Sequence, residues 1–132
     1  MNPTPSTPVR VVVVDDSEDM RFLVRWTLER DDDFDVVAEA ADGHEAIEVV
    51  RQHRPDLVLL DISMPRMTGL QALPVIRDES PETIVVMLTT FAASEGLAEE
   101  SLALGAHAYL PKSSQSHLLP DQVRKILNDI HD

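Results

Sequence analysis

Five short apolar runs punctuate the chain: Val9–Val14, Phe34–Ala40, Leu57–Leu60, Thr83–Leu88 and Ala106–Leu110. Most are continuously apolar rather than alternating, the pattern of parallel strands covered on both faces. Between them, apolar residues recur at helical spacing. Phe22, Leu23, Trp26 and Arg30 share a first helix with Thr27 and Leu28, and Trp26 is expected on its apolar face. Ala46, Ile47, Val49 and Val50 mark a second helix; Leu70, Leu73 and Ile76 mark a third. Leu97, Leu102 and Leu104 mark a fourth; Val123, Ile126, Leu127 and Ile130 mark a fifth. Strand and helix alternate five times, which predicts an α/β domain with a parallel sheet and right-handed crossovers. Pro120 interrupts the last helical pattern. Proline is tolerated in a first turn and breaks an interior, so this helix starts near Leu119 or kinks there.

At 132 residues the chain is long enough for one domain with a proper core. Its 43% hydrophobic and 27% charged content favours folding over disorder. Residues 1–7 read as a flexible leader and 8–132 as the folded domain. No apolar run approaches the ~20 residues needed to span a membrane. The start, MNPTPSTPVR, lacks the apolar segment of a secretory signal. Cysteine is absent, which removes disulfides, thiolate metal sites and cysteine nucleophiles. The cytoplasm is the expected location. A net charge of −13 argues against direct nucleic-acid binding and suits basic partners or a hard cation.

The chemistry gathers at the carboxyl ends of the predicted strands, where open parallel sheets bind ligands. Asp15 and Asp16 follow the first run, Asp61 the third, Thr89 and Thr90 the fourth, and Lys112 the fifth. Neighbouring strands lie about 5 Å apart, so these side chains can converge on one pocket. Close carboxylates repel unless a cation sits among them, and Mg²⁺ takes carboxylate, water and phosphate oxygens. A metal, a carboxylate nucleophile and a lysine are the parts needed to move a phosphoryl group onto an aspartate.

Four segments, VVVVDDSEDMR, PDLVLLDISMPRMTGLQAL, VVMLTTFAA and LGAHAYLPKS, occur in order and together resemble the response-regulator receiver domains of bacterial two-component signalling. The resemblance runs from about Val9 to Ile130 and is nearest the branch often fused to a helix-turn-helix DNA-binding domain. It implies a flavodoxin-like, doubly wound five-stranded parallel sheet of strand order 2-1-3-4-5 with five helices. It implies that Asp61 is the phosphoacceptor, with Asp16 a direct Mg²⁺ ligand and Asp15 one acting mostly through water. The backbone carbonyl of Ser63 would complete the metal shell. Thr89 resembles the switch hydroxyl, Lys112 the lysine that pairs with the phosphoryl group, and Tyr109 the aromatic residue that turns inward. A sensor histidine kinase would be the donor. A downstream protein or output domain would read the altered face of the fourth helix, fifth strand and fifth helix, and a homodimer is a further implied partner.

The chain departs from the family pattern in three places, and Phe91 adjoins the third. The family usually has proline after the lysine, often with a cis bond; here Pro111 precedes Lys112 and Ser113 follows, where cis would cost about 3 kcal/mol. Thr68 stands where aspartate is common, a turn substitution of little expected consequence. Thr90 replaces a smaller residue and would narrow access to the site. Phe91 would shield an acyl phosphate from water, which predicts slow hydrolysis.

Blander readings apply to other motifs. Asp31–Asp35 reads as a solvated acidic loop, because it lacks the spaced turn chemistry of a calcium site. The five histidines have no metal-ligand spacing. Met64 and Met67 read as packing residues, and Gly43 as a turn before the second helix. Three function classes remain: the phospho-switch, a phosphate-independent binding module, and an aspartate-nucleophile phosphatase of the haloacid dehalogenase type. The last places Asp-x-Asp after the first strand, whereas Asp15 and Asp16 are adjacent. A flavin site would need a phosphate-cradling loop where the two aspartates stand.

Overall fold

The run Val11–Val14 is fully buried because both faces of its strand are covered. Val12 and Val14 face one core, Val11 and Val13 the other. The computed structural model describes residues 7–89, 94–112 and 116–131; Thr90, Phe91 and Ser113 lie outside them. The element order is β1 (Val9–Val14), α1 (Glu18–Glu29), β2 (Phe34–Ala40), α2 (Gly43–His53), β3 (Leu57–Asp61), α3 (Gly69–Glu79), β4 (Ile84–Thr89), α4 (Ser94–Ala103), β5 (Ala108–Pro111) and α5 (Leu119–His131). A short 3₁₀ turn, Ser116–Leu118, leads into α5. The strands form one parallel sheet of order β2-β1-β3-β4-β5.

Alternate side chains of the central strands feed two cores. Val58, Leu60, Val85 and Met87 pack with Ala46 and Val50 of α2 and Leu73 and Ile76 of α3. Leu57, Leu59, Val86 and Leu88 pack with Val24 and Leu28 of α1 and Leu119 and Val123 of α5. This is the two-faced covering that continuous apolar strands require. Pro120 falls in the first turn of α5, so the helix starts at Leu119 and is not kinked there. Pro111 ends the edge strand β5, where its missing N–H costs no central ladder bond. Among the described residues there is no cis peptide bond. None of their helices is long and apolar enough to cross a membrane.

Two expectations need correction. Trp26 is not on the buried face of α1: it is 50% exposed and Phe22 67% exposed, while Val24, Thr27 and Leu28 face the core. Arg30 instead lies over the Trp26 ring, 4.5 Å from its centroid, a cation–π contact at the surface. The acidic loop is also not wholly solvated. Arg124 of α5 reaches Asp31 Oδ2 at 2.8 Å and Asp33 Oδ2 at 2.9 Å, and lies over Phe34. The loop thus anchors α5 against the start of β2.

The corrected face of α1 makes a prediction. Leu28→Ala is expected to cost about 2–5 kcal/mol in urea unfolding, as a fully buried leucine should. Trp26→Ala is expected to cost under about 1 kcal/mol. Equal losses would contradict the assigned face.

Candidate functional site

Backbone geometry brings the predicted carboxylates together. β1 delivers Asp15, whose N–H donates to the Ala40 carbonyl at 3.0 Å. Asp61 ends β3 in register with Leu88 of β4. Both are 1% exposed, whereas Asp16 is exposed. Among the described residues, Asp15, Asp16 and Asp61 form the one group of three potential ligands with oxygens within 4.8 Å of one another. Ser17, not either aspartate, caps α1: its hydroxyl accepts from Met20 N–H. One oxygen of each buried carboxylate is satisfied locally, Asp15 Oδ1 by Ser17 N–H at 2.9 Å and Asp61 Oδ1 by Ser63 N–H at 3.2 Å.

The other two oxygens define the site. Asp15 Oδ2 and Asp61 Oδ2 are buried and share one charged neighbour. The Lys112 ammonium lies at ion-pair distance from both, 2.8 and 2.9 Å. Lys112 is placed by its own backbone, whose N–H donates to the Thr89 carbonyl at 2.6 Å. Burial pushes the Asp61 carboxyl up to about 6; the neighbouring Asp15 charge adds to this, and Lys112 and the Ser63 N–H oppose it. Burial works against the charge of Lys112, but Asp15 and Asp61 outweigh it and hold the ammonium above its usual range.

The remaining predicted residues are placed less closely. Thr89 ends β4 and is buried. Ser63 is exposed in the loop after β3. Tyr109 lies on the edge strand, 44% exposed, opposite Met87, and is not gathered into the cluster.

Residues 11–124 match the family model described as the response regulator receiver domain. The chain belongs to this family. It is the family that the four sequence segments resemble. The chain is 43% identical over 126 residues to protein-glutamate methylesterase/protein-glutamine glutaminase 2 of Nitratidesulfovibrio vulgaris, covering 94% of this chain and 33% of that protein. It is 37% identical over 107 residues to the uncharacterized transcriptional regulatory protein YhcZ of Bacillus subtilis, covering 81% and 50%. The receiver therefore spans a third to a half of these relatives' length. Among solved structures, the response regulator domain of Thermotoga maritima CheB aligns with a TM-score of 0.83 and 30% identity, covering 96% of this chain and 98% of that one. The receiver domain of the putative regulator NarL from Mycobacterium tuberculosis aligns with a TM-score of 0.83 and 34% identity, covering 92% and 97%.

Several residues that hold the receiver's site were not singled out from sequence. Arg21 donates to the Asp15 carbonyl at 2.7 Å and pairs with Glu39, which also holds Arg25. Gly69 lies against the phosphoacceptor candidate's backbone: a Cβ there would stand 2.0 Å from the Asp61 carbonyl oxygen. Thr68 caps α3 in a box with Gln71, a role aspartate would also fill. Met64 is buried and Met67 partly so, both packing as expected.

The raised Asp61 pKa fixes a sign. Its folded value, about 6, exceeds the usual 3.8, so the folded state binds this proton more tightly. The stability linked to that proton is fully present below about pH 4 and lost as pH rises through about 6. In metal-free protein, Asp61→Asn is expected to raise the urea midpoint at pH 7.5, the gain shrinking towards pH 4. A gain that does not vary with pH would contradict the burial effect.

Proposed function

We propose that this receiver is a phosphorylation-dependent signalling switch in which Asp61 accepts a phosphoryl group from a sensor histidine kinase with Mg²⁺. The observation that carries this reading is the pair of buried carboxylate oxygens, Asp15 Oδ2 and Asp61 Oδ2, sharing a single ammonium, with Asp16 beside them. Three carboxylates and one lysine leave two negative charges, which a divalent cation complements. The donors are hard oxygens, which suits Mg²⁺. Asp15, Asp16, Asp61 and the Ser63 carbonyl would hold it. When bound, Mg²⁺ supplies charge neutralisation for the incoming phosphoryl oxygens.

The protein's own groups do the rest. In the metal-free protein an Asp61 carboxyl titrating near 6 is largely ionised at neutral pH, so it is available as a nucleophile. Its oxygen forms the new P–O bond while the P–N bond to the kinase's phosphoimidazole breaks. The electron pair leaves on the imidazole nitrogen, which takes a proton from solvent. Lys112, held as an ammonium between Asp15 and Asp61, transfers one of its contacts to a phosphoryl oxygen. Thr89, at the end of β4, supplies the hydroxyl that closes on the phosphoryl group. Tyr109, exposed in this state, turns inward and changes the α4–β5–α5 face. A downstream protein, an output domain or a second copy of the chain reads that face. The domain turns over no separate substrate, and the acidic surface leaves nucleic-acid contact to another domain. The cytoplasm is the compartment that suits such a relay.

Incubation with acetyl phosphate and Mg²⁺ is expected to give a single phosphate adduct by intact mass, absent from Asp61→Asn and from metal-free samples. No adduct would favour the phosphate-independent reading.

A further inference from the structure

The loop Ile62–Thr68, which carries Ser63, is held in a backbone conformation that its sequence does not favour. Arg66 has φ of 65°, a region that a Cβ-bearing residue rarely adopts. Its Nε and Nη2 donate to Asp42 Oδ2 at 2.8 and 2.6 Å. The Asp42 side chain is 5% exposed, although that of Arg66 is 64% exposed. The other Asp42 oxygen is already committed, since Oδ1 accepts from Glu45 N–H and caps α2. Beside this pair, Gly43 N–H donates to the Met67 carbonyl at 2.8 Å. A Cβ on Gly43 would stand 2.8 Å from that same oxygen, so no larger residue fits. At the far end, Gly69 N–H donates to the Ile62 carbonyl at 3.0 Å. The loop is thus closed on itself where it meets α3 and tied to the first turn of α2 by Arg66 and Met67.

We propose that the Asp42–Arg66 ion pair is a latch that positions the β3–α3 loop, and through it the Ser63 carbonyl, for the cation at the carboxylate cluster. The latch rests on the Mg²⁺ reading given above and adds a means of tuning it. Asp42 and Arg66 are positioning residues that act through the loop. Glycine would adopt the same φ without steric cost, so the arginine's contribution lies in its side chain.

Three variants of the full chain separate this role from simple folding. Asp42→Asn keeps a capping oxygen and loses the charge. Arg66→Ala loses the pair and keeps the unfavourable φ. Arg66→Gly loses the pair and relieves the φ. Each is titrated with Mg²⁺ by calorimetry and unfolded in urea, and amide hydrogen exchange is followed across residues 63–69. All three are expected to bind Mg²⁺ about tenfold more weakly, as when groups supporting a metal shell are removed, and to exchange faster in the loop. Arg66→Gly should recover the stability lost in Arg66→Ala without recovering affinity. A Coulomb effect alone would do otherwise, because losing Arg66 would tighten Mg²⁺ binding and losing the Asp42 charge would weaken it. Opposite shifts, wild-type affinity in Arg66→Gly, or no Mg²⁺ binding by the wild type would each overturn the latch. Failure of the switch is distinct: wild-type protein would form no Asp61 phosphate adduct while its Mg²⁺ affinity still responded to the latch.

Discussion

Two carboxylates buried at the ends of adjacent strands, with one ammonium between them, set the terms for the rest of the fold. Asp15 and Asp61 are each 1% exposed, and Lys112 reaches both within 3 Å. Carboxylate oxygens within 4.8 Å of each other repel by about 3 kcal/mol or more at an effective dielectric near 20, a repulsion that the ammonium offsets while all three groups lose solvation. Such a cost persists only where the surrounding structure fixes the groups. The parallel sheet does so. Buried Val11–Val14 of β1 and buried β3 are hydrogen-bonded neighbours, and strand register leaves their last side chains little freedom. The loops then finish the site, through the Ser17 and Ser63 N–H groups on one oxygen of each carboxylate.

Stability and the proposed phosphoacceptor role are opposed at Asp61. A leucine-like residue at position 61 would suit the core better than an aspartate that resists ionisation. The chain retains a carboxylate, and neighbouring elements offset its cost. Gly69 lets α3 start against the Asp61 carbonyl, and Arg21 holds the Asp15 carbonyl from α1. The Asp31–Asp33–Arg124 cluster ties α5 to the loop between α1 and β2, on the face that both helices share.

Much of this was legible in the sequence because it depends on local period and on strand ends. β1 and β2 have the predicted limits, since Val9–Val14 and Phe34–Ala40 are bounded by polar turns. Thr83 falls outside β4 because its N–H turns back to the Ser80 carbonyl, while its hydroxyl donates to the Pro55 carbonyl. β5 begins at Ala108 rather than Ala106, whose N–H turns back to the Ser101 carbonyl. The face of α1 was misread because Phe22 and Trp26 are spaced i, i+4, as are Val24 and Leu28. Periodicity finds an apolar stripe, but it cannot choose between two of them. The Arg66–Asp42 and Arg124–Asp31 pairs join residues 24 and 93 positions apart. No local pattern reports such pairs.

The central claim is that burial, more than any neighbouring charge, sets the state of Asp61. Titration of its carboxyl carbon by NMR tests this most directly, first in metal-free protein and then with Mg²⁺. The account predicts a midpoint near 6 without metal and a clear fall when Mg²⁺ is added. A midpoint near 4, the same with and without Mg²⁺, would contradict it.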